Sequence, residues 1–266
     1  MSLYQQVYMN YIDLPSLEQR GAAIRADFSS KPVFRYAVIE DFFRDDQAER
    51  IQLAYPSLTQ GHWDGTTYID QKNKFQQRVF DQGSLFDEIF AELNSGAFLN
   101  FLEQVTGIRQ LQSDPSLFGG GLHQSTTGAF LNVHVDYNLH PQTQYHRRLN
   151  LLVYMNRGWQ EGYGGNLELW DMQQHQLLDE IAPGFNRAVV FETNHVSYHG
   201  HPKPLQTPRG VSRKSIATYY YTPTRPQHEL KAAHNTLFVN TEGINGQFKR
   251  LKSGLKALLE RVRTKF

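Results

Sequence analysis

The spacing of apolar residues divides the chain into two unlike parts. Up to about residue 115 apolar positions recur at helical intervals. From there to about residue 223 they gather into short runs broken by Gly, Pro, Asn and His. Residues 1–32 read as an irregular or helical lead-in that ends at Ser29-Ser30-Lys31-Pro32, followed by a strand over 33–39 and a helix over 41–55 that Pro56 stops. Leu85, Phe86, Ile89, Phe90 and Leu93 fall on one helical face, with Ser84 and Asp87 placed as a capping box. A second helix is expected after Asn94-Ser95-Gly96. The later part predicts strands at 129–136, 148–156, 165–171, 176–182, 187–192 and 213–222. Many short strands with no helical pattern between them exclude a parallel βαβ sheet and imply a sandwich, jelly roll or barrel. Residues 224–247 show no clear pattern, and 248–266 predict a short amphipathic helix with Leu251, Leu255, Leu258, Leu259 and Val262 on one side.

The expected organisation is one domain over 1–266, mostly β with flanking helices. A helical and strand lead-in (1–115) packs on a β core (116–223), and an extension (224–266) follows. An apolar fraction of 39% with 20% charged residues is that of a folded chain. The absence of cysteine removes disulfides, thiolate metal ligands and a cysteine nucleophile, so any metal must sit on His, Asp or Glu. No basic-then-apolar leader opens the sequence, and no run reaches the ~18 apolar residues of a membrane span. The expectation is therefore a cytoplasmic chain with no membrane partner. The net charge of +1 hides seven Lys or Arg against one acid from Lys249 to Phe266. A solvated helix face accounts for that tail, and nucleic-acid binding is not expected. Nothing in the sequence sets the oligomeric state.

The chemistry concentrates on two short segments. On a strand through Asn132-Val133-His134-Val135-Asp136-Tyr137, alternation puts His134 and Asp136 on one face. A third donor lies in the stretch holding His195, His199 and His201, after a Pro-Gly turn and the apolar run Ala188-Val189-Val190-Phe191. Two histidines and one carboxylate on one face of an ion leave the other face open, as in non-haem iron(II) oxygenases. Zinc accepts the same donors, so a zinc hydrolase, a cupin-like isomerase or a non-catalytic jelly-roll module stays open at this point.

Six segments in order resemble the Fe(II)/2-oxoglutarate-dependent dioxygenases, in particular their prolyl 4-hydroxylase-like branch. They are His134-x-Asp136, Arg148-Leu149-Asn150-Leu151-Leu152-Val153-Tyr154-Met155-Asn156, Gly164-Gly165-Asn166-Leu167-Glu168-Leu169, Pro183 through Arg187 to Phe191, His199-Gly200, and Arg213-Lys214-Ser215-Ile216-Ala217-Thr218-Tyr219-Tyr220. The resemblance covers 116–223 and implies a double-stranded β-helix, a form of jelly roll.

It further implies Fe(II) on His134, Asp136 and His199, with 2-oxoglutarate and O2 as cosubstrates and decarboxylation of 2-oxoglutarate to succinate and CO2. Arg213 matches the position that anchors the far carboxylate, with Arg209 as the alternative; a forked guanidinium suits a carboxylate. Tyr154 matches a tyrosine that hydrogen-bonds the cosubstrate, and Gln124 stands where some relatives carry a second tyrosine. Tyr137, Asn138, Arg147, Glu168 and Trp170 are candidates for the substrate side. An intact Asp136 points to hydroxylation rather than halogenation. The implied substrate is a prolyl, amino-acid or peptide-like compound, or another small molecule of secondary metabolism.

Overall fold

The computed structural model describes residues 10–239 and 241. The amphipathic helix expected over 248–266 and the start of the lead-in lie outside the described residues. No described helix is long and apolar enough to cross a membrane.

The lead-in forms two short helices, α1 (Leu14–Gln19) and α2 (Gly21–Ser29), and a strand, β1 (Tyr36–Ile39). The helix expected from residue 41 begins later, as α3 (Asp45–Ala54). Asp41 has φ +50 and breaks any helix there, while Phe42 and Phe43 are drawn into the core. Helices α4 (Leu85–Leu93) and α5 (Gly96–Thr106) form where their spacing predicts. Ser84 and Ser95 each cap a first turn by accepting the N–H three residues on, and Gly107 ends α5 in the left-handed region. Between α3 and α4 lies a hairpin that the polar sequence conceals, β2 (Asp64–Tyr68) and β3 (Gln71–Gln77).

The β core comprises β4 (Gly121–Val135), β5 (His146–Met155), β6 (Leu167–Asp171), β7 (Gln176–Ile181), β8 (Phe185–Glu192), β9 (Tyr198–His201), β10 (Arg213–Thr222) and β11 (Leu237–Phe238). All its ladders among the described residues are antiparallel, in the order β1-β8-β5-β10-β4-β9-β6-β7, with β3 and β11 on the other side of β4. Strand β4 is the corner. Its first half pairs with β10 through Ser125↔Arg213 to Gly121↔Ala217, and its second half pairs with β9 through Leu131↔His201 and His134↔His199. One 15-residue strand thus belongs to both sheets of a jelly-roll-like half-barrel.

Side-chain parity sorts the core into two layers. Leu149, Leu151, Val153 and Met155 of β5 and Ala188 and Val190 of β8 face the helices. Leu152, Tyr154, Val189 and Phe191 face inward, against Leu167 and Leu169 of β6. Tyr220 fixes the helical layer to the sheet by donating its buried hydroxyl to the Leu93 carbonyl at 2.9 Å. The roll therefore keeps one face for packing and one for a cavity.

Candidate metal and cosubstrate site

A cavity of about 80 Å³ opens inside the roll. Its walls carry His134, Asp136 and His199 together with Arg213, Lys74 and the inward leucines Leu131, Leu152 and Leu167. The donor atoms of His134, Asp136 and His199 lie within 4.8 Å of one another. Nε2 of His134 is 3.6 Å from one Asp136 oxygen, and Nε2 of His199 is 3.5 Å from the other. His134 and His199 are direct cross-strand partners, so the β4–β9 register alone brings their rings to 4.4 Å. That register depends on Gly200, because a Cβ there would meet the Leu131 and Asn132 carbonyl oxygens at 2.8 and 2.9 Å.

Each ligand is held in place by a second partner. His134 Nδ1 hydrogen-bonds the Asn132 carbonyl at 2.8 Å and His199 Nδ1 the Ser197 carbonyl at 2.9 Å. A protonated Nδ1 leaves both Nε2 lone pairs aimed at the common point. Burial, reinforced by neighbouring His134, pushes the His199 imidazolium down to about 4, so its ring is neutral near pH 7. Asp136 accepts from Asn150 Nδ2 at 2.7 Å and pairs with Arg147 at 3.1 Å, and Arg147 Nε in turn donates to Asn150 Oδ1 at 2.9 Å. Burial would raise the Asp136 carboxyl, but the Arg147 guanidinium and the two imidazoles hold it well below the usual carboxylate range. Two imidazole nitrogens and one carboxylate, each oriented from behind, fit a divalent metal.

Arg213 lies across the same cavity, 8% exposed, at the start of β10. Its Nε donates to the Gly165 carbonyl at 2.7 Å and an Nη to the Tyr154 hydroxyl at 3.1 Å. Gly165 has φ +74 and faces the Arg213 side chain, where a Cβ would meet Arg213 Cδ at 3.1 Å and Leu205 Cδ2 at 2.4 Å. Tyr154 is fully buried; burial raises its hydroxyl, against the pull of Arg213, and leaves it a phenol. Arg209 is exposed in a turn and does not line the cavity.

Several candidates fall elsewhere. His195 is exposed and lines a separate small depression on the far side of Asp136, together with Tyr137, Asn138 and Arg147. His201 is buried two residues beyond His199 and lines the main cavity away from the metal donors' cluster. Gln124 is turned from the cavity. His123 and Ser125 on either side of it face in, while its own amide meets the Pro56 carbonyl and the Ser212 hydroxyl. Glu168 and Trp170 also point outward, because Leu167 and Leu169 take the inward parity of β6. They bond each other at 2.9 Å, and Glu168 pairs with Lys203. Arg147 is 2% exposed between the Tyr137 and Tyr219 rings, which makes it a partner of Asp136 more than a contact for a ligand. Asn138 is spent on backbone groups of Ala232 and His234. Residues that the pattern did not single out, Lys74, Ser125, Asn150, Ser215 and Tyr219, line the cavity. Lys74 gave no signal because its strand reads as polar loop.

Residues 120–221 match the family described as the 2OG-Fe(II) oxygenase superfamily. That segment is similar to the superfamily's members and holds His134, Asp136, His199 and Arg213. The prolyl 3-hydroxylase OGFOD1 of Mus musculus is 34% identical over 86 residues, 30% of this chain and 15% of that protein. The match thus spans about a seventh of the curated relative's length. A prolyl hydroxylase from Trichoplax adhaerens, solved with a hypoxia inducible factor peptide fragment, superposes with TM-score 0.58 at 16% identity over 78% of this chain and 91% of its own. A Phytophthora capsici prolyl 4-hydroxylase superposes with TM-score 0.56 at 19% identity over 95% and 79% of the two chains. These structures establish a prolyl-hydroxylase-like jelly roll.

Proposed function

We propose that the chain is an iron(II)- and 2-oxoglutarate-dependent hydroxylase acting on a prolyl residue of a peptide or on a related amino-acid substrate. The observation that carries this reading is a metal triad and a buried arginine on the walls of one cavity. A 2-oxoglutarate molecule held by its keto-acid end at the metal needs a cation for its far carboxylate. Arg213 meets that need, and among the described residues neither it nor Lys74 is paired with a carboxylate. Among the described residues Asp136 is the one carboxylate lining the cavity, and it already serves as a metal donor. A prolyl substrate is favoured by the relatives, whose names are those of prolyl 3- and 4-hydroxylases.

Iron bound by His134, Asp136 and His199 would supply the oxygen chemistry, with 2-oxoglutarate as its reductant. The chain does the rest. Arg147 and Asn150 keep Asp136 anionic and fix its orientation. Arg213 sets the direction of the cosubstrate, and Leu131, Leu152 and Leu167 exclude water from the cavity between them. Tyr137 and Thr193 border the separate depression beyond Asp136.

Fresh iron(II), ascorbate and 2-oxoglutarate under oxygen are expected to yield succinate, faster with a proline-bearing peptide from a substrate panel. The product is expected to be 16 Da heavier by mass spectrometry. No oxygen-dependent succinate with any member of a broad panel would overturn the proposal.

A further inference from the structure

The anchor end of the cavity holds a second cation. In the sheet Lys74 of β3 pairs with Ser125 of β4, and Ser125 pairs with Arg213 of β10, so the three form one rung across adjacent strands. All three line the cavity. Neighbouring strands lie about 4.8 Å apart, which sets the Lys74 and Arg213 backbones roughly 10 Å from each other. Ser125 between them is short enough for both long side chains to converge over it. The placement is built: the β3–β4 register slips between Lys72 and Lys74, Asn73 takes φ +50, and its amide is pinned to the Thr127 carbonyl at 3.1 Å. A bulge of this kind re-aims the side chain that follows it.

Lys74 has no hydrogen-bond or ion-pair partner among the described residues. Across the same space His201, 6% exposed, leaves Nδ1 without a partner. Buried or half-buried polar atoms left open in this way are costly unless a ligand completes them. The charges agree. Burial, with Arg213 and Arg147 adding to it against the pull of Asp136, lowers the Lys74 ammonium to about 8. Lys74 and Arg213 thus bring two cationic side chains to the anchor end with no carboxylate paired to either among the described residues, and an anion would relieve their repulsion.

We propose that Lys74 is a second binding residue for 2-oxoglutarate, closing on the far carboxylate from the side opposite Arg213. The proposal rests on the 2-oxoglutarate reading above. The test is calorimetry of 2-oxoglutarate on the full chain loaded with manganese(II), with manganese binding followed separately by its electron spin resonance. Lys74→Met is expected to raise the Kd for 2-oxoglutarate by about 10- to 100-fold, the loss of one charge-assisted hydrogen bond. Manganese binding should stay unchanged, and Lys74→Arg should recover most of the affinity. With 2-oxopentanoate, which lacks the far carboxylate, wild type and Lys74→Met should bind alike. Equal 2-oxoglutarate affinity in wild type and Lys74→Met overturns the proposal, and so does an equal loss with both ligands. If the manganese-loaded wild type takes no 2-oxoglutarate, the oxygenase reading itself falls, and this inference with it.

Discussion

The two ends of the cavity are finished to different degrees. At the metal end every donor has a partner behind it: two backbone carbonyls hold the rings, and Arg147 with Asn150 holds the carboxylate. At the anchor end Arg213 is half satisfied by Gly165 and Tyr154, while Lys74 and His201 Nδ1 are open. Donors for a small ion must be set before it arrives, since each competes with water and protons for the same lone pair. A carboxylate brings its own four acceptor sites, so its receptor is best left with free hydrogen atoms pointing inward.

The largest expected effect breaks the metal end alone. Asp136→Ala should abolish metal binding and leave Arg147 a buried unpaired cation, at a cost of about 3–5 kcal/mol in unfolding free energy; a metal titration and a denaturant curve read both. Arg213→Met should do the reverse, keeping manganese affinity while lowering 2-oxoglutarate affinity at least as far as Lys74→Met does. Equal damage to both ligands from either variant would erase the distinction between the ends. Arg147→Met should be intermediate, weakening metal binding by about 10- to 100-fold, as loss of a partner behind a ligand does. A smaller effect concerns pH. Lys74 is charged below about 8 and neutral above it, while burial holds the His123 and His201 imidazoliums well below their ordinary range. The 2-oxoglutarate affinity should therefore fall between pH 7 and 9.5, and that fall should flatten in Lys74→Met. The smallest effect is a control. Gln124→Ala and Glu168→Gln should leave both affinities within twofold, since both side chains face away from the cavity.

What the sequence made legible followed parity and order. His134 and Asp136 were readable because strand alternation carries through the end of β4, and β10 was readable because Ile216, Thr218 and Thr222 are β-branched and Tyr219, Tyr220 and Tyr221 aromatic. Glu168 and Trp170 were misplaced for want of register: in β6 the leucines at 167 and 169 claim the inside, and a one-residue difference reverses every side chain. The first half of β4 was hidden by Gly121, Gly128 and the polar run between them, and β3 by Gln71-Lys72-Asn73-Lys74, whose burial comes from neighbours distant in the chain. The resemblance pointed to His199 over His201, and the β4–β9 ladder gives the geometry, with His199 rather than His201 opposite His134.

That ladder has a mechanical side. A bound ion would tie β4 to β9 across the direction in which the two sheets unzip, beside a glycine that already presses the two backbones together. Metal occupancy should then show as slower exchange of the β9 amides and a higher force to open the roll along this seam, because the first strand to peel would have to break metal bonds as well as hydrogen bonds.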